Sequence, residues 1–327
     1  MLVLLLVTSS ASGRIPSGTV TFDIRPNVLK DSNETRLWIP YPLSDEHQKI
    51  SNIKISGNFN KSAVYNDPGS GAVFYYAEWK YVKERPFITM SFHVDLSSRK
   101  MGDLKDSTLP VPVIIKKYLE STEWIPAKDF KELAEKITKG KKTILEKARA
   151  VYDWTVENTY RDPNVKGCGL ALPGRTLKQC KGGGKCADIS AVYVSIARAA
   201  GVPSRDVYGL RVSDPKSGDI TSSFHCWAEF YLPGTGWVPV DPADVRKMML
   251  VHDLDLKEAD AWRKFFWGGD DLFRIVLEKG ARGVTFVPKQ AGDALNYFMY
   301  PFAQVDGETL NYFDPKSFVY SVSFEKD

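Results

Sequence analysis

The sequence predicts an α+β fold in which helices pack on an antiparallel sheet, preceded by an all-β domain. Three observations support this class. Residues 18–115 contain short runs of β-branched and aromatic residues separated by turn clusters such as "NDPGSG", a pattern typical of antiparallel strands. Helical periodicity begins only after residue 127, and strand-type runs return after residue 205.

The first domain is predicted to be a β-sandwich spanning residues 14–125, a size usual for such a module. Its C-terminal part, the proline-bearing stretch at 107–126, is interpreted as the junction with a second domain at 126–327. The strand-type runs of the first domain are "TVTFDIRP", "TRLWIPYP", "KISNIKISG", "AVFYYAEWKYV" and "FITMSFHVDL".

Residues 1–13 resemble the end of a secretory signal, because the apolar run Leu2–Val7 precedes the small residues Ser9–Gly13. A basic region before the apolar run is missing, so either the true start of the protein lies upstream or the run is a first strand. A cytoplasmic location is the alternative to export. Export to the periplasm or the extracellular space is the favoured interpretation. No other apolar run is long enough to cross a bilayer, so no stable membrane span is predicted.

The second domain begins with two predicted helices, "DFKELAEKIT" and "KTILEKARAVYDWTVENTY". Thr143 followed by Glu146 is the pattern of a capping box at the start of the second helix. A third helix is predicted directly after Cys186, and Gly201 before a Val-Pro pair is a signal for its end. The third helix has one apolar face, formed by Ile189, Val192, Tyr193, Ile196 and Ala200.

Strands follow the third helix. Three runs, "DVYGLRVS", "FHCWAEFYL" and "GWVPVDPA", predict neighbouring strands, and the "PGTG" turn makes the last two a hairpin. Two later runs, "RGVTFVP" and "SFVYSVSF", are predicted to be further strands of the same sheet.

Composition excludes two classes of main partner. The 44 Lys and Arg residues are interspersed with 40 Asp and Glu residues, for a net charge of +4, which favours neither nucleic acid nor an anionic membrane. None of the four cysteines lies in a CxxC pair, so no metal site is predicted. In an exported protein Cys168 and Cys180 are candidates for a disulfide, and free thiols are the alternative.

The motif "KGGGKCADIS" places Cys186 at the predicted start of a helix. Unpaired N–H groups and the helix dipole favour the thiolate there, and the same N–H groups can stabilise an oxyanion. The glycines Gly182–Gly184 are expected to let a substrate backbone approach closely. A phosphate-binding loop is excluded, because Gln179 occupies the place of its first glycine and Cys186 that of its Ser or Thr.

A cysteine nucleophile needs a base and a group that orients the base. His225 opens one strand of the predicted hairpin and Asp241 closes the other. Because the start of one hairpin strand lies beside the end of its partner, these side chains are expected to be neighbours. A helix end packed on this sheet would bring Cys186 to the His225 ring.

Residues 142–245 resemble the transglutaminase-like branch of the papain-type cysteine enzymes. The motifs "GGGKCADIS", "FHCWAEFYL" and "GWVPVDP" match three family boxes in order, and "RAAGVPSR" matches a fourth segment. The resemblance implies that 142–245 is the core of a catalytic domain, with Cys186 as nucleophile, His225 as base and Asp241 as orienting acid. Residues 246–327 resemble the C-terminal extension of bacterial and archaeal members.

Further candidates are weaker. Gln179 is a candidate oxyanion donor, and Gly184 and Trp227 are candidate oxyanion or support residues. Alternation along a strand puts His225 and Trp227 on one face and Cys226 on the other, so Cys226 is interpreted as a core residue. Animal transglutaminases require calcium, but the acidic segment 252–260 lacks the glycine and spacing of a calcium loop, so no metal or cofactor is predicted.

The favoured hypothesis is a thiol-dependent hydrolase that acts on amide bonds of a protein or peptide, a cell-wall peptide being one candidate. Crosslinking of glutamine side chains to amines, as in a true transglutaminase, uses the same mechanism and is the first alternative. A catalytically silent binding or scaffold protein is the alternative from another class. A buried structural thiol is the corresponding alternative for Cys186 itself.

Overall fold

A computed structural model describes residues 17–28, 32–212, 217–269 and 274–327. The predicted leader at 1–13 lies outside the described residues. The predicted fold class is confirmed: helices pack on an antiparallel sheet, and a strand-rich region precedes them. No helix within the described ranges is long and apolar enough to span a membrane.

Within the described residues, six α-helices lie between residues 131 and 265. The predicted capping box is confirmed, because Thr143 Oγ1 accepts the N–H of Glu146 at 3.1 Å while the Glu146 carboxylate accepts the N–H of Thr143 at 3.1 Å. Two 3₁₀ segments, Val113–Leu119 and Ala127–Phe130, precede these helices. The helices are α1 Lys131–Ile137, α2 Ile144–Asn158, α3 Pro173–Lys178, α4 Cys186–Ala199, α5 Pro242–His252 and α6 Asp260–Phe265.

In the part of the N-terminal region that the structure describes there are six strands, five of them as predicted and β4 in addition. Buried and less buried residues alternate along β1 and β6, because each strand turns one face to the core and the other outward. The strands are β1 Ser17–Pro26, β2 Glu34–Pro40, β3 Gln48–Gly57, β4 Lys61–Asn66, β5 Val73–Lys80 and β6 Ile88–Leu96.

The remaining strands lie between and after the helices. They are β7 Tyr160–Arg161, β8 Gly183–Gly184, β9 Ser204–Arg211, β10 Gly218–Asp219, β11 Phe224–Leu232, β12 Gly236–Val240, β13 Arg274–Lys279, β14 Phe302–Val305, β15 Glu308–Thr309 and β16 Phe318–Lys326.

The N-terminal strands belong to two antiparallel five-stranded sheets, ordered β10-β16-β1-β6-β3 and β15-β14-β2-β5-β4. Each sheet therefore contains strands from the end of the chain. Apolar side chains of both sheets, such as Phe22 on β1 and Leu37 on β2, belong to one buried cluster. Chain ends that pair in this way are held together by backbone hydrogen bonds as well as by apolar contact.

The predicted placement of the last two runs was wrong. The run at 317–324 does not extend the sheet of the hairpin: β16 pairs with β1 along its whole length, from Gly18 opposite Lys326 to Pro26 opposite Phe318. Alternating apolar residues on β16 complete the cluster beneath β1. The run at 282–288 forms an isolated bridge at Val284 rather than a strand. The domain boundaries at 125 and 126 stay a prediction.

A four-stranded antiparallel sheet, ordered β12-β11-β9-β13, carries the second half of the fold. The predicted hairpin is confirmed, with Ala228 of β11 opposite Val240 of β12. Apolar residues of β11 and of α4 share one buried cluster, so α4 packs across the sheet. This packing brings the first residue of α4 toward the beginning of β11.

Candidate active site

Cys186 is the first residue of α4, as the sequence predicts. The start of the helix is fixed by Asp188, whose Oδ2 accepts the N–H of Lys185 at 3.1 Å. The Oδ1 of Asp188 accepts the N–H groups of Leu170 and Ala171 at 2.9 and 3.0 Å. One buried carboxylate therefore caps α4 and ties the preceding loop to it.

The glycines before Cys186 serve packing rather than substrate approach, so that expectation was wrong. A Cβ at Gly182 would meet the carbonyl oxygen of Asn158 at 2.4 Å, and one at Gly183 would meet the Tyr160 hydroxyl at 2.5 Å. A Cβ at Gly184 would meet Cβ of Asp188 at 2.6 Å. The protein itself fills the space that the missing side chains leave.

His225 and Asp241 lie side by side, as the hairpin predicts. Nε2 of His225 lies 2.7 Å from Oδ2 of Asp241. Asp241 is also the N-cap of α5, since its Oδ1 accepts the N–H of Asp244 at 2.8 Å. The carboxylate is thus held from two sides, and it fixes which edge of the His225 ring faces it.

Three charged residues that the sequence analysis missed complete this arrangement. Arg274 donates from Nη1 to Asp241 Oδ2 at 2.7 Å and from Nη2 to Asp244 Oδ2 at 3.1 Å. Arg211 also pairs with Asp244, which lies 3.6 Å from His225 Nε2. Asp244 had a weak sequence signal, because an acid three residues after an N-cap is common. Arg274 and Arg211 had none.

The ion pairs set the protonation states of the dyad. Burial raises the pKa of Asp241, but His225 and Arg274 lower it more, to about 2. Burial and Arg211 lower the pKa of His225, whereas Asp244 and Asp241 raise it above its ordinary value. The His225 ring is therefore a stronger base than a free imidazole, and it faces a carboxylate that stays ionised.

The sulfur of Cys186 lies among other sulfurs. The Sγ atoms of Cys168, Cys186 and Cys226 lie within 4.8 Å of one another. Hydrogen bonds from the Cys168 and Cys226 thiols lower the pKa of Cys186, burial raises it, and His225 lowers it further, so that it lies well below that of an ordinary thiol. Cys226 is buried as predicted, but its sulfur lies near the nucleophile candidate.

Cys168 and Cys180 are free thiols in the structure. Cys168 is buried and its sulfur lies 3.3 Å from the carbonyl oxygen of Phe224, whereas Cys180 is partly exposed. Of the two alternatives for this pair, the structure contains the free thiols. Cys168 instead becomes a neighbour of Cys186.

Arg161 places a positive charge beside Cys186, and no local pattern in the sequence predicts this contact. Arg161 ends β7, which pairs in parallel with β8, so that Arg161 lies opposite Gly184. Burial lowers the pKa of Arg161, but Cys186 and Asp244 raise it above its ordinary value. A cation at this position stabilises a thiolate at residue 186.

Cys186 and His225 are covered in this structure, with 1% and 3% of their surfaces exposed. Residues 168–171, which we name the covering segment, pack against the start of α4. The segment's carbonyl at Cys168 accepts the N–H of Ala187 at 2.9 Å, and its carbonyl at Gly169 accepts the Tyr297 hydroxyl at 2.6 Å. Neither side chain is open to solvent in this structure. We expect that movement of this segment would expose the sulfur to a substrate.

The covering segment borders a cleft. The volume of the cleft is about 620 Å³, and Gly169 and Leu170 form part of its wall. The wall also includes four aromatic residues from the C-terminal part of the chain: Tyr297, Phe302, Tyr312 and Phe313.

Residues 131–242 match the transglutaminase-like superfamily. A relative from Haemophilus influenzae, described as an uncharacterized protein, is 32% identical over 336 residues, which cover 94% of this chain and 90% of the relative. The chain belongs to the transglutaminase-like superfamily. The matched range contains Cys186, His225 and Asp241, the three residues that the sequence boxes single out.

Two further comparisons place this transglutaminase-like chain. YebA of Bacillus subtilis is 28% identical over 144 residues, 38% of this chain and 19% of YebA. A solved structure from Cytophaga hutchinsonii, described as a "putative cysteine protease", has a TM-score of 0.56 at 17% identity and covers 96% of this chain and 99% of that chain. At this identity the likeness concerns the fold alone.

The weaker transglutaminase-like site candidates lie in different surroundings. Gln179 is exposed at the end of α3, so it does not contribute to the buried site in this structure. Trp227 is buried, and its ring stacks at 6.1 Å from the His225 ring, as the predicted common face requires. The guanidinium of Arg274 lies 5.2 Å from the Trp227 ring. Trp227 thus packs against both His225 and Arg274.

Proposed function

We propose that the protein is a thiol-dependent acyl-transfer enzyme that hydrolyses peptide or isopeptide amide bonds. Cys186 is the nucleophile, His225 the general acid and base, and Asp241 the residue that orients the ring. The observation that carries this proposal is the 2.7 Å contact between His225 Nε2 and Asp241 Oδ2, on a hairpin beside the helix start that bears Cys186.

The proposed reaction has two steps. The Cys186 thiolate attacks the amide carbonyl, His225 gives a proton to the leaving amine, and a thioester to the enzyme remains. Water then attacks the thioester while His225 takes its proton, which releases the acid and restores the thiolate. The N–H of Ala187 now bonds to the carbonyl of Cys168 at 2.9 Å; displacing segment 168–171 would free it to hold the oxyanion.

Ion pairing favours a catalytic role over a silent scaffold. Removing Asp241, Asp244, Arg211 and Arg274 from water is costly, and such buried charges are weak evidence for stability alone. Here they converge on one imidazole next to a thiol with a lowered pKa, the combination expected of a site for nucleophilic catalysis. A protein or peptide substrate fits the proposed chemistry, and cell-wall peptides after export are one candidate class.

Mass spectrometry tests the proposal. The full chain is incubated with a peptide library that includes lysine isopeptides, together with a primary amine donor. Cleaved peptides are expected from the wild type and from Cys180→Ser, and none from Cys186→Ala. Amine-tagged glutamines without cleavage would instead identify a crosslinking enzyme. If no peptide changes although Cys186 of the same protein reacts with an alkylating reagent, acyl transfer is contradicted.

A further inference from the structure

Four sulfur atoms from distant parts of the chain meet at the start of α4. The Sγ atoms of Cys168, Cys186 and Cys226 lie within 4.8 Å of one another, and Sδ of Met299 lies 3.5 Å from Cys226 Sγ. We name these four residues the sulfur cluster. We propose that the sulfur cluster binds one Cu⁺ ion and that the bound ion blocks the thiolate of Cys186.

The spacing fits a single metal ion. Metal–thiolate bonds are about 2.3 Å long, so three sulfurs around one ion lie about 4 Å apart. The observed separations reach this value with side-chain shifts of about 1 Å or less. All four residues are buried, with exposed fractions of 4% or less, so the site is closed and water does not compete for the ion.

The ligand type selects the metal. Thiolate and thioether sulfur are soft donors that favour Cu⁺, whereas Mg²⁺, Ca²⁺ and Mn²⁺ favour oxygen. The thioether of Met299 is a donor that zinc sites, built from Cys, His and carboxylates, do not ordinarily use. Cu⁺ also needs no complete tetrahedral set, so the three thiols suffice even if the thioether contact is long.

The charges around the site agree with this choice. A Cu⁺ ion with two or three thiolates carries a net negative charge, and the guanidinium of Arg161 lies beside Cys186 to balance it. Binding displaces the protons of the Cys168 and Cys226 thiols, which pass to solvent. No electron is transferred, because the ion enters and remains as Cu⁺.

Sequence spacing gives no hint of the cluster, which explains why no metal site was predicted. The ligands come from a loop, the start of α4, strand β11 and the segment before β14. Binding itself does not depend on the proposed function. Only its consequence, loss of amide hydrolysis, rests on Cys186 acting as the nucleophile.

Competition with a chromogenic chelator tests binding directly. The full chain is titrated without oxygen into the Cu⁺–bicinchoninate complex in the presence of ascorbate, and loss of colour measures transfer of Cu⁺. One equivalent is expected to transfer to the wild type and to Cys180→Ser, whose thiol lies outside the cluster. Cys168→Ser is expected to bind Cu⁺ about 10- to 100-fold more weakly.

A second variant distinguishes the loss of a ligand from a loss of the fold. Met299→Leu keeps the volume of the side chain but removes the thioether, and we expect weaker Cu⁺ binding with unchanged thermal unfolding. Met90→Leu, at a buried methionine of β6, is the matched control and should bind as the wild type does. Equal Cu⁺ binding by the wild type and Cys168→Ser, or tighter binding of Zn²⁺ than of Cu⁺ by the wild type, would overturn the proposal.

Thiol labelling links the ion to the nucleophile without any assay of turnover. Alkylation of Cys186, followed by peptide mapping, is expected to stop when one Cu⁺ is bound and to return when a chelator removes it. Continued alkylation of the Cu⁺-loaded protein would refute the blocking of Cys186. If Cu⁺ binds and protects Cys186 while no peptide is ever cleaved, the proposed function fails and the metal site stands.

Discussion

A single carboxylate oxygen, Oδ2 of Asp241, contacts Nε2 of His225 at 2.7 Å and also accepts a hydrogen bond from Arg274 at 2.7 Å. The arginine keeps this carboxylate ionised, since it contributes to the low pKa of about 2. The imidazole therefore always faces a negative charge. This arrangement stabilises the protonated ring that forms when the cysteine loses its proton.

Replacing Asp241 by Asn tests this relationship. The amide keeps the shape of the side chain and can still cap α5, but it removes the charge and places a donor group near Nε2. We expect turnover to fall by about 10³- to 10⁴-fold, as for the corresponding change in other triads. The measurement is steady-state hydrolysis of a cleaved peptide. Asp219→Asn, at an exposed position, is the control, and more than a tenth of wild-type turnover in Asp241→Asn would contradict the role.

Arg274 is expected to be required for stability. Arg274→Met leaves the buried carboxylates of Asp241 and Asp244 without one of their partners, and breaking such a buried pair costs about 3–5 kcal/mol. Urea unfolding measures the change in the free energy of unfolding. Arg25→Met, which breaks an exposed pair with Asp23, should cost at most about 1 kcal/mol; equal effects of the two variants would show that burial does not matter here.

The lowered pKa of Cys186 predicts how its alkylation depends on pH. Because only the thiolate reacts, the rate with a small alkylator should stay high even below the ordinary thiol pKa of about 8.5. The rate should fall only in more acidic solution. His225→Ala removes one of the groups that lower this pKa, so its profile should shift to higher pH. The assay uses the Cys180→Ser background. A wild-type rate that drops at the ordinary thiol pKa would contradict the expectation.

The covering segment predicts an effect of Tyr297 on access. Tyr297→Phe removes the hydrogen bond to the carbonyl of Gly169, which contributes about 1 kcal/mol. Opening of segment 168–171 should become several-fold more frequent, and alkylation of Cys186 several-fold faster at saturating thiolate. Tyr81→Phe, at an exposed tyrosine, should leave the rate unchanged. An unchanged rate in Tyr297→Phe would show that the segment does not limit access.

Glu278 predicts a pH dependence of stability. Burial raises its pKa to about 8, against about 4.3 in an unfolded chain. Between these values the folded protein holds a proton that the unfolded chain has released, so the stability contributed by this group falls as the pH rises through the window. Glu278→Gln abolishes this titration. The difference in the free energy of unfolding, variant minus wild type, should therefore rise from pH 5 to pH 8.

Urea unfolding at the two pH values measures the Glu278 effect. The control is Glu325→Gln at an exposed position of β16, whose difference from wild type should be the same at both. A difference for Glu278→Gln that does not change with pH would contradict the raised pKa as the cause.

Local sequence signals were sufficient for five of the six N-terminal strands, for helices α1, α2 and α4, and for the three central residues. The capping box at Thr143, the stop at Gly201 and the hairpin turn each act over a few residues, so the chain sequence alone specifies them. The hairpin then fixes His225 beside Asp241 by register. The partner of the last strand could not be predicted in this way. Alternation shows which face of β16 is buried but not that β1 is its partner.

The sequence by itself determined the class of fold, the helix start at Cys186 and the pairing of His225 with Asp241. Only the tertiary structure decided which groups surround them: Arg161 beside the sulfur, Arg274 on the carboxylate, and Cys168 and Met299 in the sulfur cluster. The physical reason is that these contacts join residues far apart in the chain. They are selected by packing and by the cost of leaving buried charges unpaired, and neither has a periodic signature in the sequence.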